Sequence, residues 1–190
     1  MNLKDKGISL FFQNVVKNLS NPDKSVFLIE ALEMAPDYFW YAPASSTGKH
    51  HPSFAAQEGG LVLHTLTAIK IAKSLFPAYP ELTLEDQENI IVALSLHDTV
   101  KKGFYEESNT VAGHERFPRE YFISLKSLIP NDYEEIMDLI STHMGIWNED
   151  GNPPKRKEEY RISPAEIVHL ADLLSSRKSL EEIFAQNIYI

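Results

Sequence analysis

The sequence predicts an all-α protein, a single-domain helical bundle, on three observations. Apolar residues recur at helical intervals along most of the chain, several segments open with capping signals, and alternating strand-like runs are few. The 190 residues suffice for one domain with a sizeable core and are too few for two comfortable ones, so the domain is read as spanning 1–190.

In chain order, helical spacing covers 8–19 and 24–35, and a loop rich in Pro, Ser, Gly and His follows at 42–58. Further helices are expected at 60–76, 84–102, 114–127, 132–143 and 164–177. Thr83 ahead of Glu85 and Asp86 marks one start. "SPAE" at 163–166 marks another, with Ser163 as the cap, Pro164 at the first helical position and Glu166 completing a capping box. The C-terminal "NIYI" could add a short extended end. No repeat or low-complexity tract interrupts the pattern.

Composition narrows the function classes. An apolar content of 43% and a charged content of 24% are ordinary for a globular chain. No stretch reads as the roughly 18 apolar residues of a membrane span, and "MNLKDKGISLFF" lacks a signal-peptide cleavage region, so the expectation is a cytoplasmic protein without membrane partners. A formal charge of −9 argues against a broad electrostatic footprint on nucleic acid, while a small anionic substrate in a locally positive pocket stays compatible with it. With no cysteine, any metal must be held by imidazole and carboxylate, which suits Mn, Fe, Zn, Ni, Co or Mg.

The stretch "ALSLHDTVKKG" at 93–103 carries the first chemical signal. A helix end explains Lys101, Lys102 and Gly103, because cations favour the negative pole of the helix dipole and glycine stops the helix. It leaves Asp98 unexplained, a carboxylate at the wrong pole directly after an apolar run, where a buried charge needs a partner.

Other helices supply candidates. His64 shares a stripe with Leu61, Ala68, Ile71 and Leu75, opposite Thr67, Lys70 and Ser74. His143 continues the stripe of Ile136, Leu139 and Ile140, and Asp172 lies among Leu170, Ala171, Leu173 and Leu174. A lone inward histidine is more often a hydrogen-bonded core residue than a ligand. Inward groups on four separate helices, each costly if unpaired, are better explained together by a shared cation.

The order His64, His97–Asp98, Asp172 resembles the H…HD…D signature of the HD-domain superfamily of metal-dependent phosphohydrolases. "EGGLVLHTL" resembles the segment around the family's first histidine, and "SLHDTVKK" its HD-x-x-K helix. "GHERF" and "STHMG" match the additional histidine positions of two-metal members. "PASSTGKHH" ahead of "EGGLVLHT" is similar to the HD domain of bacterial 3′-5′ exoribonucleases and to small stand-alone HD hydrolases. The resemblance implies a metal-binding core at about 58–178, with one divalent metal held by His64, His97, Asp98 and Asp172. It implies a second on His114 and His143, with Asp98 bridging and hydroxide as the nucleophile. Such paired cations, roughly 3.5–4 Å apart, clamp a phosphoryl group during in-line attack. Lys101 matches the family's lysine after the HD pair, where it would neutralise a phosphate oxygen.

The chain departs from the common family pattern at Thr99 and Val100, and from the exoribonuclease-like domains at Met144, where they frequently carry another histidine, and at Ser175, where they frequently have a second acid. Two loops are expected to shape the pocket. His50 or His51 could reach the substrate phosphate, and Trp147 could either stack on a base or pack its own loop. Lys155, Arg156, Lys157 and Arg161 read as a solvated basic run, and His169 as facing solvent or packing locally. The expected activity is hydrolysis of a phosphomonoester or phosphodiester, of a nucleotide above all. A nuclease on short single-stranded RNA or DNA and a non-catalytic regulatory module are the alternatives.

Overall fold

The structure, a computed structural model, describes residues 2–45, 51–148 and 161–178. Among these it is all-α, as the sequence predicts, with eight α-helices and no strand. The helices are α1 (Leu3–Asn14), α2 (Pro22–Met34), α3 (Tyr38–Tyr41), α4 (Gly60–Leu75), α5 (Leu84–Leu96), α6 (Phe117–Phe122), α7 (Tyr133–Ser141) and α8 (Pro164–Ser175). The segments 46–50, 149–160 and 179–190, which include His50, Lys155, Arg156, Lys157 and "NIYI", lie outside the described residues.

The caps behave as their chemistry demands. Thr83 and Asp86 close a reciprocal capping box on α5, and Ser163 and Glu166 do the same on α8. α1 starts before residue 8 because the Asn2 side chain accepts the amide of Asp5, at 2.8 Å.

α4 and α5 lie at the centre, with α8 against both and α7 against α5. α4 is accordingly buried almost all round. Thr67, assigned to a polar face by periodicity, is buried and returns its hydroxyl to Leu63 O at 2.7 Å. The window Gly60–Ala78 has the length and mean hydropathy, 1.2, of a membrane span, contrary to the reading of composition, but 61% of it is buried inside the fold. Beneath the bundle Lys24 is 1% exposed, with Nζ 2.7 Å from Asp132 and 3.8 Å from Glu88, tying α2, α5 and the start of α7.

α1 also ends at Asn14 rather than 19, with a 3₁₀ turn at Val16–Asn18 after it, and three further segments depart from the expected helices, each in a way that positions the site. α5 ends at Leu96 instead of 102. The His97 ring takes Leu94 O at 2.7 Å, and the chain tightens into i→i+3 turns, Thr99 to Leu96, Lys101 to Asp98 and Gly103 to Val100. Tyr38, buried on α3, closes that turn by accepting from Lys102 N at 3.1 Å and donating to Gly103 O at 2.9 Å. The expected helix 114–127 is a 3₁₀ turn at His114–Arg116, then α6, then a 3₁₀ segment broken at Lys126, whose φ is 45°. α7 stops at Ser141, so His143 sits in the turn beyond it.

The loop before α4 is pinned by Gly59 N to Tyr41 O and Leu61 N to Ala42 O. Gly60 lies so close to Ala55 that a Cβ would overlap its carbonyl. Gly60→Ala is therefore expected to cost about 1–3 kcal/mol of stability, read as a lowered melting temperature; an unchanged one would show that this loop yields freely.

Candidate metal centre

The structure brings the six ligating candidates together in two groups that share one residue. His64, His97, Asp98 and Asp172 offer ligand atoms all within 4.8 Å of one another, and so do Asp98, His114 and His143. Asp172 Oδ1 lies 3.0 Å from His64 Nε2 and 3.4 Å from His97 Nε2. Asp98 Oδ2 lies 3.6 Å and 3.5 Å from the same two nitrogens. Asp98 Oδ1 turns the other way, 3.4 Å from His114 Nε2 and 3.8 Å from His143 Nε2.

Each imidazole is held by its other nitrogen. His97 Nδ1 meets Leu94 O at 2.7 Å, His114 Nδ1 meets Val111 O at 3.1 Å and His143 Nδ1 meets Ile140 O at 2.7 Å. A carbonyl can only accept, so these Nδ1 atoms carry the hydrogen and the Nε2 lone pairs point into the cluster. At His64 the partner is Ser175, 2.9 Å away, whose hydroxyl already donates to Asp172 O and therefore accepts from His64 Nδ1. Ser175 thus orients the first histidine.

The Nε2 atoms of His64, His97 and His114, together with Asp98 Oδ1, are buried without a hydrogen-bond partner. Lone pairs facing carboxylates in a buried site repel unless a proton or a cation lies between them. The donor set fits divalent metal of the kind imidazole and carboxylate accept. Ser175→Ala is expected to weaken metal binding about 10–100-fold, measured by competition with a chelator; an unchanged affinity would remove Ser175 from this role.

The charges are mutually supported. Burial would raise the pKa of Asp98, but Lys101, with Nζ 2.7 Å from Oδ2, and then His97 and His114 hold it well below the usual carboxylate range. Burial would likewise raise Asp172, and the neighbouring His64 and His97 rings hold it well below the usual carboxylate range. Burial would lower His97, yet Asp98 and Asp172 outweigh this and keep it raised. His143 is pushed down to about 3, by burial first and then by His97, so it stays neutral and available as a donor.

Above the cluster opens a cleft of about 250 Å³, whose walls include His51, Lys101, His143, Trp147, Asp172 and Arg177. A larger hollow of about 340 Å³, between α1 and α2 around Ile8, Phe12 and Ile29, holds no such cluster, so size alone does not mark the site. His51 packs against His64 at 5.3 Å between ring centroids, its Nδ1 buried and unpartnered, and burial lowers it to about 4. Trp147 is 57% exposed at the rim, 6.1 Å from the His169 ring.

His169 does more than face solvent. Its Nδ1 donates to His143 O at 2.7 Å, and its ring lies so close over Gly145 that a Cβ there would be 2.5 Å from Cε1. Sequence reasoning missed the bonds made by His169 and Ser175, although both stand three residues from Asp172 on α8 and so share its face. Arg161 is engaged elsewhere, with Glu81 and Ala78 O.

Among known proteins, a family model for the HD domain matches residues 61–177. No curated protein and no solved structure matches the chain. HD domains are in general metal-dependent hydrolases and imply divalent metal binding, with which both side-chain groups are compatible. The match covers more than half of the chain and encloses every member of the cluster: the chain belongs to the HD-domain family.

Proposed function

We propose that this protein is a phosphohydrolase that uses two divalent cations to cleave a phosphomonoester or phosphodiester, with a nucleotide as substrate. The observation that carries the reading is Asp98, whose two oxygens face two different sets of histidines. Bound there, the cations would polarise phosphoryl oxygens and lower the pKa of water at neutral pH. His64, His97, Asp98 and Asp172 would hold one, and His114 and His143 the other with Asp98.

The remaining chemistry belongs to side chains. Lys101 stays protonated because Asp98 outweighs its burial, and at the cleft wall it offers a fixed positive charge to a phosphate oxygen as charge develops. His51, neutral at physiological pH, can donate a hydrogen bond to the same oxygens. Trp147 presents a stacking face for a base at the rim. The acidic balance of the chain favours a mononucleotide or other small ester over a long nucleic acid.

The test is hydrolysis over a panel of phosphomonoesters, phosphodiesters, nucleotides and short oligonucleotides, with Mn, Mg, Ni, Co, Zn or Fe(II) supplied. Preference for oligonucleotides with steep salt dependence would move the reading to a nuclease on short single strands. Binding of metal and nucleotide without turnover of any ester would move it to a regulatory module. Metal counting tests the binuclear arrangement separately: His114→Ala is expected to lower the stoichiometry from two to one, and an unchanged count would refute the second group.

A further inference from the structure

Among the described residues, Arg177 is the one arginine of four without a carboxylate partner. Arg116 pairs with Glu115, Arg119 with Glu134 and Asp138, and Arg161 with Glu81. Arg177 instead stands exposed just beyond the end of α8, on the wall of the cleft shared by Asp172, Lys101 and His51. It follows Asp172 by five residues, about 1.4 turns at helical pitch. A cation at a helix end is ordinarily explained by the dipole. That explanation accounts neither for its place on this cleft nor for its lack of a carboxylate partner among the described residues.

The wall beside it points to an anion as well. His51 Nδ1 is buried with no hydrogen-bond partner, and Lys101 adds a positive charge. The Lys101 ammonium is already committed to Asp98, so among the described residues the guanidinium of Arg177 is the uncommitted cation of this cleft. Its planar fork matches two oxygens of one phosphate.

Resting on the phosphohydrolase reading, we propose that Arg177 forms a subsite for a second phosphate of the substrate, separate from the phosphoryl group held at the Asp98 cluster. The second phosphate can be joined through an anhydride, as in a nucleoside diphosphate, or through a second ester, as in a nucleoside bisphosphate. Both offer anionic phosphate oxygens to the guanidinium.

Rapid filtration of radiolabelled AMP, ADP and adenosine 3′,5′-bisphosphate with the metal-loaded protein separates these cases. At least one of the two doubly phosphorylated nucleotides is expected to bind about ten-fold tighter than AMP, one charge-assisted contact's worth. In Arg177→Gln that advantage should shrink to about two-fold or less while AMP binding is unchanged, and Arg177→Lys should restore part of it. The nucleotide that shows the effect identifies the linkage. Equal binding of all three by the native protein, or an advantage that survives in Arg177→Gln, overturns the subsite.

Ester hydrolysis without an Arg177 effect would defeat the subsite and leave the phosphohydrolase standing. An Arg177-dependent preference in a protein that hydrolyses no phosphate ester would do the reverse.

Discussion

Asp98→Ala is expected to strip metal from both groups at once and to lower phosphate-ester hydrolysis by more than about 1,000-fold, since each lost 1.4 kcal/mol of transition-state stabilisation is tenfold and the cations supply several such steps. The reason is geometric. Oδ2 serves the group of His64 and His97, Oδ1 the group of His114 and His143, so its loss leaves the first group with Asp172 as its one carboxylate and the second with imidazoles alone. Asp172→Ala should differ in kind, because Asp172 belongs to the first group alone, and one equivalent of metal should remain. Elemental analysis after gel filtration, with circular dichroism to verify the fold, reads both variants beside the activity. Full metal content or full activity in Asp98→Ala would sink the shared-carboxylate arrangement.

How much of this was legible in the sequence depends on how local each cause is. The His97–Asp98 pair could be placed because it directly follows an apolar run, and His64 because apolar periodicity fixes the inward face of a helix; all three are buried in the structure. His143 could be placed for the same reason, although it lies two residues past the end of α7, since the turn beyond preserves its direction. His114 could not be aimed. It opens a 3₁₀ turn after Gly113, with φ of 74°, and only the bond from its Nδ1 to Val111 O settles where the ring points.

Long-range causes left no local trace. The turn that follows Asp98 and Lys101 is closed by the Tyr38 hydroxyl, which meets Lys102 N and Gly103 O more than sixty positions later in the chain. The substitution at Ser175 was visible as a departure, but its meaning rests on a hydrogen bond to His64 across 111 positions. Helical extents erred where side chains competed for backbone groups, as His97 does for Leu94 O.

The same burial that keeps His143 available as a donor makes the metal-free protein sensitive to acid. His143 falls from the ordinary 6.5 to about 3 on folding. Between those values the unfolded chain binds a proton that the folded chain does not. Its contribution to stability is therefore complete above about pH 6.5 and is lost as pH falls toward 3. One proton amounts to about 1.4 kcal/mol per pH unit, so about 2–3 kcal/mol is lost by pH 4.5. His51, lowered to about 4, acts in the same direction but more weakly because it is only partly buried.

His97 works against both, since its raised pKa gives stability that is present below its unfolded value and fades as pH rises through the folded one. Asp98 and Asp172 stay out of this window, because depressed carboxylates lose their contribution only below the ordinary value near 3.8. The melting temperature of chelator-treated protein should thus fall between pH 6.5 and 4.5, and His143→Gln, which keeps a polar side chain but cannot take up the proton, should flatten the fall. Metal-loaded protein should hold its melting temperature to lower pH than the metal-free form, because cations bind the deprotonated imidazoles and release follows only when protons compete for them. A slope identical in the variant would assign the acid sensitivity elsewhere, whereas a flattened slope would identify the neutral His143 ring as a cost that the folded protein bears to keep a donor facing the cluster.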